Sequence, residues 1–154
     1  MTAVANRGTE PDELRDFYER YIAAFNARDT AAFPGFFHLP VTILPLPADD
    51  GPQAGRPPVL VTEPAQLWPT LPAKWTRSTI DEIRVLADAV AFQSRSELTE
   101  RRPRRPAIQA AVTRWAGDEP YEQVHVLYLL TREDGHLGIK AMVPLAVAEG
   151  PSSG

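Results

Sequence analysis

Apolar and polar residues alternate in two runs near the end of the chain, Tyr121 to Thr131 and Leu137 to Val147, on either side of Glu133-Asp134-Gly135-His136. Asp-Gly between strand-like runs favours a type I′ turn, because both central residues must take positive φ. The pattern predicts a long β-hairpin in which Glu133 faces His136, Leu130 faces Ile139, Tyr128 faces Ala141 and Val126 faces Val143. Side chains on a strand alternate with period two, so this register sorts them into faces. One face, with Val124, Val126, Tyr128 and Ile139, is apolar apart from a phenol. The other carries Gln123, His125, Leu127, Leu129, Lys140 and Met142.

Upstream the period changes. Leu14, Phe17, Tyr18, Tyr21, Ile22 and Phe25 recur at helical spacing, with Thr9 as N-cap, Pro11, Asp12 and Glu13 in the first turn, and an end near Ala27. Asp29 or Thr30 is expected to cap a second short helix, Ala31 to His38, whose buried side is Phe33, Phe36 and Phe37; Pro34 is tolerated in its first turn. Val41 to Leu46 reads as a strand, 48–58 as a loop rich in Pro, Gly and Asp, and Val59 to Val61 as a short strand. A helix capped by Thr62 is expected to run through Leu67, Trp68 and Leu71 toward Trp75, shortened or kinked by Pro69 and Pro72. Thr79 to Leu86 and Ile108 to Trp115 read as strands, with a loop over Gly117 to Pro120. The stretch 87–100 gives no clear pattern, and Arg101 to Pro106 reads as an exposed loop tip. Helices first and consecutive strands afterwards argue an α+β fold with a mostly antiparallel sheet covered by helices on one face. One domain over 9–148 is expected, with residues 1–8 disordered and 149–154 a flexible tail.

Composition narrows the classes. A chain of 154 residues buries roughly 17,000 Å² on folding by size scaling, enough for a core without staples. Cysteine is absent, which removes disulfides and thiol chemistry and fits a reducing compartment. No apolar run reaches bilayer-spanning length and no signal peptide is recognisable, so the expectation is a cytoplasmic protein without a membrane partner. A net charge of −4 disfavours nucleic acid, whose binding rests on phosphate neutralisation. The run Arg101, Arg102, Arg104 and Arg105 lacks interleaved aromatics and reads as solvated loop.

The order of elements, together with FYERYIAAFNARD (Phe17 to Asp29), Phe36-Phe37, the strand VTIL and the terminal LYLLTREDGHLGIKAM, resembles the nuclear-transport-factor-2-like superfamily, which includes ketosteroid isomerases and polyketide cyclases. The resemblance covers about residues 10–147 and its motifs are diffuse. It implies a cone-shaped, curved sheet wrapped around a pocket, with helices on the concave face. It also implies a homodimer through the outer sheet face, here the face with His125, Leu127, Leu129 and Met142.

Motif searches for phosphate loops, dinucleotide turns, nucleophile elbows and HExxH are empty, and the three histidines lack acidic neighbours at ligand spacing, so neither a metal nor a cofactor is expected. Isomerases of the resembling family place a base on the first strand, yet residues 38–45 hold no carboxylate, and steroid isomerisation is set aside. His38 is the remaining candidate base, placed at the cavity rim; a structural helix-terminal histidine is the alternative. Tyr18 and Tyr21 resemble, by position, the tyrosine that donates to a substrate oxygen in some relatives; packing with a protein or water partner is the alternative. Tyr128 points inward by the hairpin register. If Gly117 to Pro120 is a four-residue loop, Gln109 becomes its cross-strand neighbour, giving a phenol and an amide beside small Ala111. Trp68 and Trp75 are core residues that the resemblance also places on the cavity wall. Asp81, Glu82 and Arg84 resemble an acid-base set of epoxide hydrolases of this fold, but alternation splits them between faces. Two functions stay open: a small-molecule-binding protein with an apolar pocket, as a cyclase- or isomerase-like enzyme or otherwise, and a noncatalytic dimerisation or partner-binding domain whose cavity is filled by its own side chains.

Overall fold

The computed structural model describes residues 10–46, 57–86 and 105–149. The expectations for 87–104, including Arg101, Arg102 and Arg104, for the loop over 48–56, for the Thr9 cap and for both chain ends lie outside the described residues.

Helix α1, Glu10–Ala27, buries Leu14, Phe17, Tyr18, Tyr21 and Ile22 along one stripe, as the period requires. It stops where Arg28 takes φ 51° and the chain end is closed by Arg28 N–H to Phe25 O at 3.1 Å and Asp29 N–H to Ala24 O at 3.0 Å. These two bonds form a Schellman cap, satisfying carbonyls that the helix leaves without partners. The Asp29 carboxylate then accepts from Ala31 N–H at 3.1 Å and Ala32 N–H at 3.0 Å, so Asp29 is the cap of the next turn.

That turn is shorter than expected. A 3-10 helix spans Phe33–Phe36, and strand β1 already begins at Phe37 and runs to Ile43. His38 is therefore a strand residue and does not end a helix. β2 is Val59–Val61, and the third helical region is a 3-10 helix, Pro64–Thr70, with Glu63 rather than Thr62 at its N-cap. Pro69 inside it and Pro72 after it remove the N–H groups that an α-helix toward Trp75 would need.

The remaining strands are β3 (Arg77–Val85), β4 (Ala107–Ala116), β5 (Glu119–Glu133) and β6 (His136–Glu149). They form a six-stranded sheet in the order β2-β1-β6-β5-β4-β3. Among the described residues only the β1–β6 pairing is parallel. The result is an α+β fold with a curved, mostly antiparallel sheet and the helices on its concave side, as expected.

The β5–β6 hairpin turns at Asp134-Gly135, with φ 53° and 82°, and Glu133 faces His136. The expected register holds as far as Leu130 opposite Ile139. There it breaks. Leu129 pairs with Ala141, leaving Lys140 as an extra residue, and Tyr128 faces Met142 instead of Ala141. A second irregularity pairs Val126 with Pro144 and His125 with Ala146, so Val126 does not face Val143. A β-bulge shifts the alternation by one residue, which moves every following side chain to the other face until a second bulge restores it. Between the two bulges Met142 turns inward, and Ala141 and Val143 turn outward. Placing Met142 on the outer face with His125 and Leu127 is thus corrected: Met142 is buried.

The β4–β5 connection differs as well. Gly117 adopts φ 64°, the turn is Gly117-Asp118, and Ala116 already pairs with Glu119. Tyr121 is bulged out between the Trp115–Pro120 and Arg114–Glu122 pairs. Tyr128 consequently faces Ile108, and Gln109 faces Leu127 on the convex side.

Candidate functional site

The concave face of the sheet, α1 and the 3-10 helix Pro64–Thr70 enclose a cavity of about 250 Å³. α1 contributes Tyr21, Ile22 and Phe25; the 3-10 region contributes Leu67, Thr70 and Leu71. The sheet supplies Ile43, Ser78, Val112, Val124 and Val126, and the shifted part of β6 adds Met142 and Pro144. Tyr128 and Arg114 complete the lining. The wall is mainly apolar, with a few polar groups, the composition typical of small-ligand sites.

Tyr128 is held from behind. Its hydroxyl lies 3.0 Å from that of Tyr18, which is fully buried, and the rings are 5.0 Å apart between centroids. Two hydroxyls carry two protons, and their mutual bond uses one. Either hydroxyl can donate in that bond, and Tyr21, which like Tyr128 lines the cavity, shares a further hydrogen bond with Tyr128. Tyr21 meets Tyr128 edge-on at 5.8 Å. Burial pushes the ionisation of Tyr18 and Tyr21 well above the ordinary phenol value, reinforced by the neighbouring Tyr128. Burial also raises Tyr128, while the hydrogen bond with Tyr18 and the Arg114 guanidinium pull it back. All three phenols are therefore neutral donors at neutral pH, and no carboxylate or imidazole lines the cavity among the described residues.

The tryptophans stand one layer behind. Trp68 packs at 4.7 Å on Phe33 and donates Nε1–H to Phe25 O at 3.0 Å; Trp75 donates Nε1–H to Ser78 Oγ at 3.0 Å. Neither lines the cavity, but each positions a residue that does. Ser78 is tied further to α1, since Asn26 accepts from Ser78 N–H and donates to Ser78 O, both at 2.8 Å. This double bond anchors the edge strand β3 against the helix.

Two candidates lie elsewhere. Gln109 belongs to a shallow convex-face groove with Glu82, Arg84 and His125. The expected phenol–amide pair beside Tyr128 does not form, because the two-residue turn at Gly117-Asp118 moves the register by two and the Tyr121 bulge returns one, a net slip of one residue. His38 does not line the cavity; its Nε2 lies 3.1 Å from His136 O and its ring lies 4.7 Å from that of His136, tilted by 47°. Asp81 accepts from Thr113 at 2.6 Å and Gln123 at 2.9 Å, and Glu82 pairs with Arg84 at 3.1 Å. A bulge at Asp81 puts all three acid-base candidates outside the cavity.

Arg114 was not singled out by sequence reasoning. It sits opposite Glu122 and donates Nη1–H to Glu122 Oε2 at 2.8 Å, with the side chains 28% and 21% exposed. Next to this pair the Tyr121 hydroxyl is buried without a hydrogen-bond partner among the described residues, and the Lys74 ammonium lies 4.3 Å from the Tyr121 ring centroid. An opposite-charge pair across a hairpin is legible only once its register is known, and here that depends on the Tyr121 bulge.

Fold and cavity together define an α+β cone, a curved and mostly antiparallel sheet with helices on its concave face. The architecture is similar to that of ActVI-ORFA from Streptomyces coelicolor, with a TM-score of 0.53 over 90% of this chain and 95% of that one, at 15% sequence identity. No family model matches the chain, and no curated protein matches it significantly. No helix of the described residues is long and apolar enough to cross a membrane.

Proposed function

We propose that this protein binds a small, largely apolar molecule in the cone, with an oxygen of the ligand accepting from Tyr128. The observation that carries this reading is the cavity of about 250 Å³ with the Tyr128 phenol in its mainly apolar wall, held from behind by Tyr18. That volume lies just below the usual range of small-molecule sites and suits one or two fused rings. A fixed neutral donor in a water-poor site polarises a carbonyl or steadies a developing oxyanion, the chemistry that a cyclase- or isomerase-like reaction would draw on. The alternative, a domain with a filled cavity, is disfavoured because Trp68, Trp75, Phe33, Phe36 and Phe37 pack around the chamber without closing it.

Titration calorimetry with 2-naphthol tests the reading. Saturable one-to-one binding is expected, weakened up to about tenfold in Tyr128→Phe, the worth of one neutral hydrogen bond. Absence of heat up to the solubility of the probe contradicts it.

The convex face is proposed to seat a second copy of the chain. It presents Leu127, Leu129 and His125, half-buried, and the bulge brings Val143 there in place of Met142. Light scattering is expected to give the mass of a dimer, and of a monomer for Leu127→Asp, which places a carboxylate in a dry patch. A mass unchanged by the substitution removes the proposal.

A further inference from the structure

Among the described residues that line the cavity, Arg114 alone is charged. It is more than two-thirds buried, and its pairing with Glu122 uses Nη1. A guanidinium has five N–H donors in a planar fork. No hydrogen bond of the described residues takes the Nε or Nη2 donors. The charge is also felt along the chamber, since it opposes the effect of burial at Tyr18, Tyr21 and Tyr128.

From this placement we infer that the natural ligand is an organic anion, a small ring system bearing a carboxylate, whose charged group docks on Arg114 while the ring enters the apolar chamber. The inference rests on the proposed binding function and names its ligand class. A carboxylate matches the unused side of the guanidinium, and a charge-assisted contact there is stronger than a neutral one. Glu122 holds the guanidinium from its Nη1 side and, by its own negative charge, opposes an incoming anion on the other side. The two residues therefore have opposite expected effects, which separates ligand recognition from mere support of the fold.

The experiment compares 2-naphthoate with its neutral isostere 2-naphthamide by titration calorimetry on the full chain. Wild type is expected to bind the acid at least tenfold more tightly than the amide. Arg114→Gln is expected to remove that preference. Glu122→Gln, which removes the opposing carboxylate, is expected to strengthen acid binding severalfold. Circular dichroism and thermal unfolding of each variant report whether the fold survives; if Arg114→Gln unfolds, the Glu122→Gln titration and the wild-type preference decide the matter alone. Equal binding of acid and amide by wild type overturns the anion inference and leaves the cavity reading intact. Failure of both probes to bind overturns both, and acid binding unchanged or weakened in Glu122→Gln overturns the proposed opposition by Glu122.

Discussion

Phe33→Ala is expected to lower the unfolding free energy by about 3–5 kcal/mol, the range for removing a buried aromatic ring. Phe33 is 1% exposed and packs against four rings of the aromatic cluster, with centroids 5.0 Å from Phe37, 5.7 Å from both Tyr21 and Phe25, and 4.7 Å from Trp68. Such rings gain from offset and edge contacts beyond their buried area, and a hole among them collapses poorly because each neighbour is rigid. Tyr21 and Phe25 line the cavity from the other side, so their loosening should also weaken 2-naphthol binding. Urea denaturation measures the first effect; a loss under about 1 kcal/mol would mean the cluster is less tightly packed than described.

Gly138→Ala is expected to be nearly as damaging although it adds one carbon. A Cβ at this position would lie 2.7 Å from Cγ and Nε2 of His38 and nearer still to its Cδ2. The ring has little room to yield: Nε2 is 3.1 Å from His136 O, Nδ1 is 3.7 Å from Glu133 Oε1, and the backbone carbonyl of His38 accepts from Lys140 Nζ at 3.2 Å. Overpacking of this kind costs about 1–3 kcal/mol or more. His38→Ala in the same chain removes the obstacle, so the double variant should melt above Gly138→Ala alone. Losses that simply add would contradict the contact. His38 on this account is a strut between β1 and the β5–β6 hairpin, which explains why an imidazole that looked like a candidate base stands away from the cavity.

Much of this was legible in the chain. Helical spacing from Leu14 to Phe25 and the Asp134-Gly135 turn specify α1 and the hairpin, because both follow from local backbone physics. Tyr21 and Tyr128 were found for the same reason. Bulges were not, and they redistribute the site. The presence of Pro144 in the middle of β6 was the available signal, since a proline lacks the N–H that an interior strand position needs and is tolerated at a bulge. Gln109 and Met142 exchanged faces with the residues expected of them through single-residue slips. Arg114 stayed hidden because its meaning depends on Glu122 across a turn that is tighter than it looked. The short 3-10 helices reflect proline placement, which limits helix length more severely than apolar spacing reveals.

The inward turn of Met142 carries the account, because the cavity wall exists in this form only if Lys140 is bulged out. The chain has two methionines, Met1 and Met142, so labelling methionine methyls with carbon-13 gives a spectrum simple enough to read residue by residue. A nuclear Overhauser experiment on the Met142 methyl is expected to show contacts to the ring protons of Tyr128, and the signal is expected to move on addition of 2-naphthol. Contacts to the Leu127 and Leu129 methyls, with none to Tyr128, would mean an unbroken register and a different cavity.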